Sequence, residues 1–287
     1  MPNPSLLSVF LSFALSTAAH AVTKAPLPGV PEVLKSVNVT IADKKPEGPT
    51  MTVDSKTALT SAQWDAIAAS HLRSFVFIGA ALDDAGMQRL AKLNPMSVTI
   101  NGSLVTGVGA AKFGEMKSLK TLHTLHVTRP TPEAKAALSS HPTLEVYSTD
   151  GAFCIDAVTA PHLQRVDMKH SGASDSFVAL MKGHPALQSV RLWNKGYATL
   201  SDACIATLVT LPKLNKLSLE FAVFTYSGGL HRLKEIPGLT TLDLKDVALA
   251  DEDLAKLKAD LPKVKITFTP MTADYRTQWN NWAAKKK

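Results

Sequence analysis

Apolar residues recur along most of this chain in one figure: Pro-x-Leu, followed by apolar positions three and five residues later. Pro161-His162-Leu163 leads to Val166 and Met168, and Pro185-Ala186-Leu187 to Val190 and Leu192. Pro212-Lys213-Leu214 leads to Leu217 and Leu219, and Pro237-Gly238-Leu239 to Leu242 and Leu244. These four copies align without gaps. Pro142-Thr143-Leu144 continues with Tyr147 and Thr149, and Pro262-Lys263-Val264 opens a last copy with Val264, Ile266 and Phe268 inward. The starts at 142, 161, 185, 212, 237 and 262 are 19 to 27 residues apart, the spacing of a repeat array. Fainter copies precede them: Leu122, Leu125 and Val127; Leu93, Met96 and Val98; Leu72, Phe75 and Phe77.

Each copy joins two periodicities. Segments such as Leu217-Ser218-Leu219 alternate apolar and polar residues and predict strands, whereas 200–208 and 249–257 carry apolar residues at helical spacing. Ser201 or Asp202, and Asp251, stand where side chains cap helices. Proline suits the helix-to-strand junction because it cannot continue a helix interior and lacks a backbone donor. A strand-only solenoid is the alternative, and these helix-length segments argue against it.

The Leu-x-x-Leu-x-Leu figure resembles the leucine-rich-repeat family over about residues 59–268, in its cysteine-containing or ribonuclease-inhibitor-like subtypes. The resemblance implies an α/β fold: a leucine-rich-repeat solenoid, with a curved stack of parallel strands on the concave side and helices on the convex side. The usual Asn after the strand is missing from most copies. One unit cannot bury its apolar edge alone, so stacked neighbours must share a continuous core.

The flanks read differently. From Leu6 to Ala18 the chain is apolar or small and ends in Ala19-His20-Ala21, the pattern of a cleaved signal peptide over residues 1–21, with cleavage near Ala21. An anchor is the other reading, but so short a run falls below the roughly 20 residues that cross a bilayer. This predicts a secreted or periplasmic protein. Residues 22–58 hold Pro26, Pro28, Pro31, Pro46 and Pro49 and read as a Pro-rich linker with a possible short strand at 36–41. Thr60-Ser61-Ala62-Gln63 reads as a capping box opening a helix with Trp64 and Ile67 on one face, a candidate cover for the array's first repeat. Residues 269–287 form a C-terminal aromatic cap and basic tail, with Tyr275, Trp279 and Trp282 along one side of a helix. An exposed aromatic partner site is the second reading of those three rings.

Composition narrows the chemistry. With 45% hydrophobic and 19% charged residues, the chain has the material for a packed core and is not a disordered polymer. Cys154 and Cys204 are expected as two free thiols, Cys204 buried in a helix. His141 and His184 precede the junction proline in equivalent positions and read as structural, while His123 and His126 have the wrong spacing in a strand for joint metal binding. Acid pairs at Asp83-Asp84 and 251–253 sit at helix starts, where negative charge is favoured. No HExxH, GxSxG or phosphate-loop pattern occurs, so neither an enzyme, a metal nor a cofactor is expected. The net charge of +7 is diluted: residues 269–287 carry +3 and residues 22–58 carry +1, leaving +3 over the array. Nucleic acid is not an expected partner, and membrane association is at most peripheral, through the C-terminal Lys tail.

The strand residues between the inward leucines form the surface that could bind. Arg165, Asp167 and Lys169; Arg191 and Trp193; Ser218 and Glu220; Asp243 and Lys245 are the candidate partner-binding residues, with His126, Ser148 and Asp150 extending the face upstream. Asp167, Arg191, Ser218 and Asp243 should stack across four strands, with Lys169, Trp193, Glu220 and Lys245 as the next column. Trp beside Arg is a hot-spot composition, although cross-strand salt bridges on a soluble sheet explain the charges equally well. Lys195, Gly196, Tyr197, Phe221, Phe224 and Tyr226 could form a rim. The expected function is a non-catalytic scaffold holding a protein or envelope polymer on its concave strands. The alternative is a structural or assembly module acting through its linker or its aromatic-basic tail.

Overall fold

A computed structural model describes residues 28–44, 46–127, 132–150 and 155–285. The signal segment, residues 22–27, Cys154 and the last two lysines lie outside the described residues. Eleven strands form one open sheet in chain order, so each strand lies beside the next one in sequence. The sheet opens with an antiparallel hairpin, β1 (Asn38–Lys44) and β2 (Gly48–Ser55). From β2 onward every pairing is parallel, which requires a crossover between successive strands.

Those crossovers are helical. Helix α1 (Ser61–Ala69) leads to β3 (Ser74–Gly79), α2 (Asp84–Leu93) to β4 (Ser97–Asn101), and α3 (Gly107–Ala110) with a 3-10 turn to β5 (Thr121–Leu125). Helix α4 (Pro132–Ser139) precedes β6 (Val146–Thr149), and a 3-10 segment precedes β7 (Arg165–Lys169). Helix α5 (Asp175–Ala179) leads to β8 (Ser189–Trp193), and α6 (Ile205–Leu208) to β9 (Lys216–Glu220). A 3-10 segment, Leu230–Glu235, leads to β10 (Thr241–Val247). Helix α7 (Asp251–Asp260) leads to β11 (Lys265–Pro270), and α8 (Ala273–Ala284) ends the chain. Several crossovers are only a helical turn or two, so the expected strand-and-helix alternation holds in order and loosens in helix length.

The Pro-x-Leu figure marks the corner into each strand. Leu144, Leu163, Leu187, Leu214 and Leu239 are buried, as are the residues before the six prolines. Val166, Val190, Leu217 and Leu242 pair strand to strand as one buried row, and Met168, Leu192, Leu219 and Leu244 as a second. Ile266 and Phe268 extend both rows onto β11, half-buried because no strand follows. The buried side chains form one continuous cluster from Leu34 to Leu261, as expected when each repeat borrows the apolar flank of its neighbour.

Polar clamps tie successive repeats. The ring of His141 lies Nε2 to Phe113 oxygen at 3.2 Å, and its Nδ1 accepts from Thr143 N–H at 3.4 Å. His184 repeats the arrangement with Ala160 oxygen at 2.9 Å and Ala186 N–H at 3.2 Å. Both contacts together require the neutral Nε2–H ring. The acid pairs divide two tasks. Asp83 caps α2 by accepting from Gly86 N–H at 2.7 Å, whereas Asp84 accepts from Thr106 N–H at 2.8 Å and Thr106 hydroxyl at 2.7 Å in the next repeat. Asp175 does the same with Ser201, Asp202 with Thr225, and Asp253 with Tyr226 N–H.

Several expectations require correction. Of the three early copies, Phe75 and Phe77 occupy the inward rows as expected, whereas the next two are displaced: Val98 and Ile100, then Leu122 and Thr124, stand inward. Met96 is exposed, Leu93 belongs to α2, Leu125 lies on the outer face and Val127 follows the strand. Inward Thr124 broke the leucine pattern and drew the reading out of register. His123, not His126, stands beside Ser148. Asp251 lies in the first turn of α7, whose cap position is Ala250 without a side-chain bond. The capping box at Thr60 and Gln63 forms as expected, but β1, β2 and the 3-10 turn Glu32–Ser36 precede α1 in the fold, so the stretch read as a linker extends the sheet.

Candidate functional site

The residues facing away from the core fall into columns set by register. Asp167, Arg191, Ser218 and Asp243 are direct neighbours on β7 to β10, as are Lys169, Trp193, Glu220 and Lys245. The two columns differ in availability. Arg191 donates from Nε to Glu220 Oε1 at 2.8 Å and from Nη2 to Oε2 at 3.0 Å, a bidentate pair, and also faces Asp167 at 3.4 Å. Ser218 hydroxyl donates to Glu220 at 2.8 Å, and Lys245 Nζ stands 3.9 Å away.

Glu220 is 3% exposed and Asp167 8%. Burial pushes the Glu220 carboxyl up, but hydrogen bonds from Arg191 and Ser218, with the Arg191 and Lys245 charges, hold it below its ordinary value. The same bond to Glu220 raises Arg191 despite its partial burial. Asp167, Arg191, Ser218 and Glu220 therefore satisfy one another and brace the sheet. Arg165 is exposed at the start of β7, Lys169 half-buried at its end, Asp243 half-buried beside Ser218, and Lys245 exposed.

Trp193 belongs to a different group, at the strand exits. Its ring centroid lies 4.7 Å from that of His170 and 6.0 Å from that of Phe221, and the Arg191 guanidinium sits 5.8 Å from it. Phe221 continues to Tyr275 at 4.9 Å, and Tyr275 to Trp282 at 5.4 Å. Lys195 Nζ stands 5.4 Å over Phe221, and Tyr197, 40% exposed, lies 6.2 Å from His170. A row of aromatic rings thus edges the sheet, with an ammonium above it.

The backbone explains how these rings reach the rim. A residue at the strand exit adopts a left-handed conformation in several repeats: Gly79 and Gly102 early, then His126, His170, Phe221 and Asp246, with φ between 50° and 57° in the last four. Glycine, Asn, Asp and His accept that conformation most readily, and a Phe there is strained. At Gly79 only glycine fits, because a Cβ would lie 2.7 Å from Ser55 oxygen. Where the exit is open, His170 and Phe221 hang their rings beside Trp193. His126 is fixed instead between Asn101, at 2.9 Å, and Asp150, at 3.3 Å.

Lys195, Gly196, Tyr197 and Phe221 therefore form the expected rim, whereas Phe224 is buried in the core and Tyr226 turns to the helical side to donate to Asp260 at 2.7 Å. His170 was missed: nothing in its local sequence marks it, and only the repeat register aligns it with Phe221. The tail also departs from expectation. Helix α8 reaches back, so that Gly196 N–H donates to the Tyr275 hydroxyl at 3.0 Å, while β11 keeps an exposed edge. None of its side chains is fully buried, so it joins the rim more than it seals the array. Cys204 is buried, and burial pushes its thiol well up, away from the reactive thiolate. Among the described residues no cluster of three or more His, Cys, Asp or Glu side chains is placed to hold a metal, and no helix is long and apolar enough to cross a membrane.

No protein-family model matches the chain, and no curated protein matches it. Among solved structures, a crystal structure of a protein from Bacteroides fragilis resembles it with a TM-score of 0.47 at 14% identity, over 70% of this chain and 66% of that one.

Proposed function

We propose that the chain is a non-catalytic leucine-rich-repeat scaffold, secreted or periplasmic after removal of residues 1–21, that holds a protein or envelope polymer on its strand face at the aromatic exit rim. The repeated Pro-x-Leu figure and the parallel sheet in chain order support the architecture. The observation that carries the function is the row His170, Trp193 and Phe221, two of them on left-handed backbone, with Tyr197 and Lys195 beside it. A ring held at a conformational cost outside the core, as that of Phe221 is, suits contact with a partner, because rigid aromatics give large contact area for little lost entropy.

Within the face, the reading assigns contact to Trp193, Lys169 and Lys245, with Arg165 beyond the ion-pair network. Asp167, Arg191, Ser218 and Glu220 hold the platform, and Asp243 borders it. The test is affinity capture from the native envelope fraction with wild-type protein and with Trp193→Ala. Trp193 is half-buried, so this variant keeps the fold, and capture should fall about tenfold or more. Equal capture by a folded Trp193→Ala protein rejects the site.

A further inference from the structure

The array's modest net charge hides a segregation. Register places Arg165, Ser189, Lys216, Thr241 and Lys265 side by side on five adjacent strands, so cation and hydroxyl alternate along the entry edge of the sheet. Arg165, Lys216 and Lys265 are exposed, and their side chains make no ion pair among the described residues. Lys213 and Lys263, exposed in the preceding corners, add to the row. Glu145, a carboxylate at this edge, is already paired with Lys120 at 2.8 Å. A groove of about 370 Å³ follows the same edge, lined by the Lys120–Glu145 pair and by Thr143, Gln164, Gln188 and Lys213 among others.

We infer that this strand-entry edge binds a linear acidic polysaccharide, independently of the aromatic rim. Cations on alternate strands stand roughly 9.5 Å apart, an interval suited to a polymer whose acidic groups recur at regular steps, such as a saccharide chain with a carboxylate or sulfate on alternate sugars. The intervening Ser189 and Thr241 hydroxyls and the Gln164 and Gln188 amides match the hydroxyl-rich remainder of such a chain. A membrane surface would call for apolar or aromatic side chains beside the cations. Single-stranded nucleic acid would call for stacking rings. The rings of this face lie at the other end of the strands, roughly 13 Å away.

The test measures binding of the full chain at low salt to a uronic-acid oligosaccharide, to the same oligosaccharide after carboxyl reduction, to phosphatidylglycerol vesicles and to a single-stranded oligonucleotide. The uronate should bind best, the reduced chain should not bind, and added salt should weaken the uronate complex. Replacing Arg165, Lys213, Lys216 and Lys265 by Gln should weaken it about tenfold or more, and Trp193→Ala should leave it unchanged. The charge reversals Lys216→Glu and Lys265→Glu provide a second variant, and thermal melts confirm the fold of each. No uronate binding, equal binding by both variants, equal binding of the reduced chain, or tighter binding to vesicles or oligonucleotide would each overturn the inference. Loss with Trp193→Ala alone would also overturn it, by placing the polymer on the rim.

Discussion

Single residues in this protein do two kinds of work that their identities do not separate. Arg191 and Trp193 are sequence neighbours on one strand face, yet Arg191 is spent on Glu220 and Asp167 while Trp193 stands in the ring row. Arg191→Ala should therefore cost stability, about 1–3 kcal/mol for a half-exposed pair that leaves buried carboxylates unmatched, readable as a lower urea midpoint. Phe221→Gly tests the opposite case. Glycine relieves the left-handed strain while the ring contacts are lost, so stability should move by less than about 1.5 kcal/mol as partner capture falls. A large loss of stability would make Phe221 a packing residue. At His141, desolvation by burial is the largest influence and, with the Lys117 charge, pulls the ring below its ordinary value of 6.5, so the folded state favours the neutral form. The unfolded chain then binds the proton more readily. Stability is fully present above that value and is lost as pH falls through it. Urea midpoints should drop on the acid side, and His141→Gln should flatten the drop.

At the scale of elements, the corner and strand of each repeat from Pro142 onward were legible, because proline, a buried leucine and a period of two are all written locally. Asp202 shows what was not. Its place at a helix start reads as a cap, yet its carboxylate accepts from Thr225 in the next repeat, a contact no local pattern encodes. The same holds for Gly228, where a Cβ would stand 2.2 Å from an Asp202 oxygen and 2.4 Å from the Thr225 hydroxyl. Gly228→Ala should destabilise by about 1–3 kcal/mol. In an Asp202→Ala background the cost should shrink, which a double-mutant cycle on thermal or urea unfolding would register as coupling. Two of the early repeats failed for a related reason: with Thr124 in an inward leucine place and Pro95 in that of the corner leucine, the apolar figure reads equally well two or three residues away.

For the whole molecule, stacking links all of this, since a repeat contributes one column position and a flank of core to each neighbour. Both the column order of the candidate face and its shared interior followed from aligning four copies. The sequestration of Arg191, the rim contributed by left-handed exits and the return of α8 did not, because each depends on contacts between repeats. The Tyr275 bond to Gly196 and the half-exposed character of α8 predict that truncation after Pro270 keeps the array folded, with far-ultraviolet circular dichroism nearly unchanged and Phe221 newly accessible. Global unfolding of that truncation would instead make the helix a required cover.

The most direct measurement is hydrogen exchange of the protein with and without the partner captured from the envelope. The account predicts new protection around His170, across 193–197 and at Phe221, where three neighbouring strands end. Protection confined to residues 28–58, or to the helical side around α2 and α7, would contradict it.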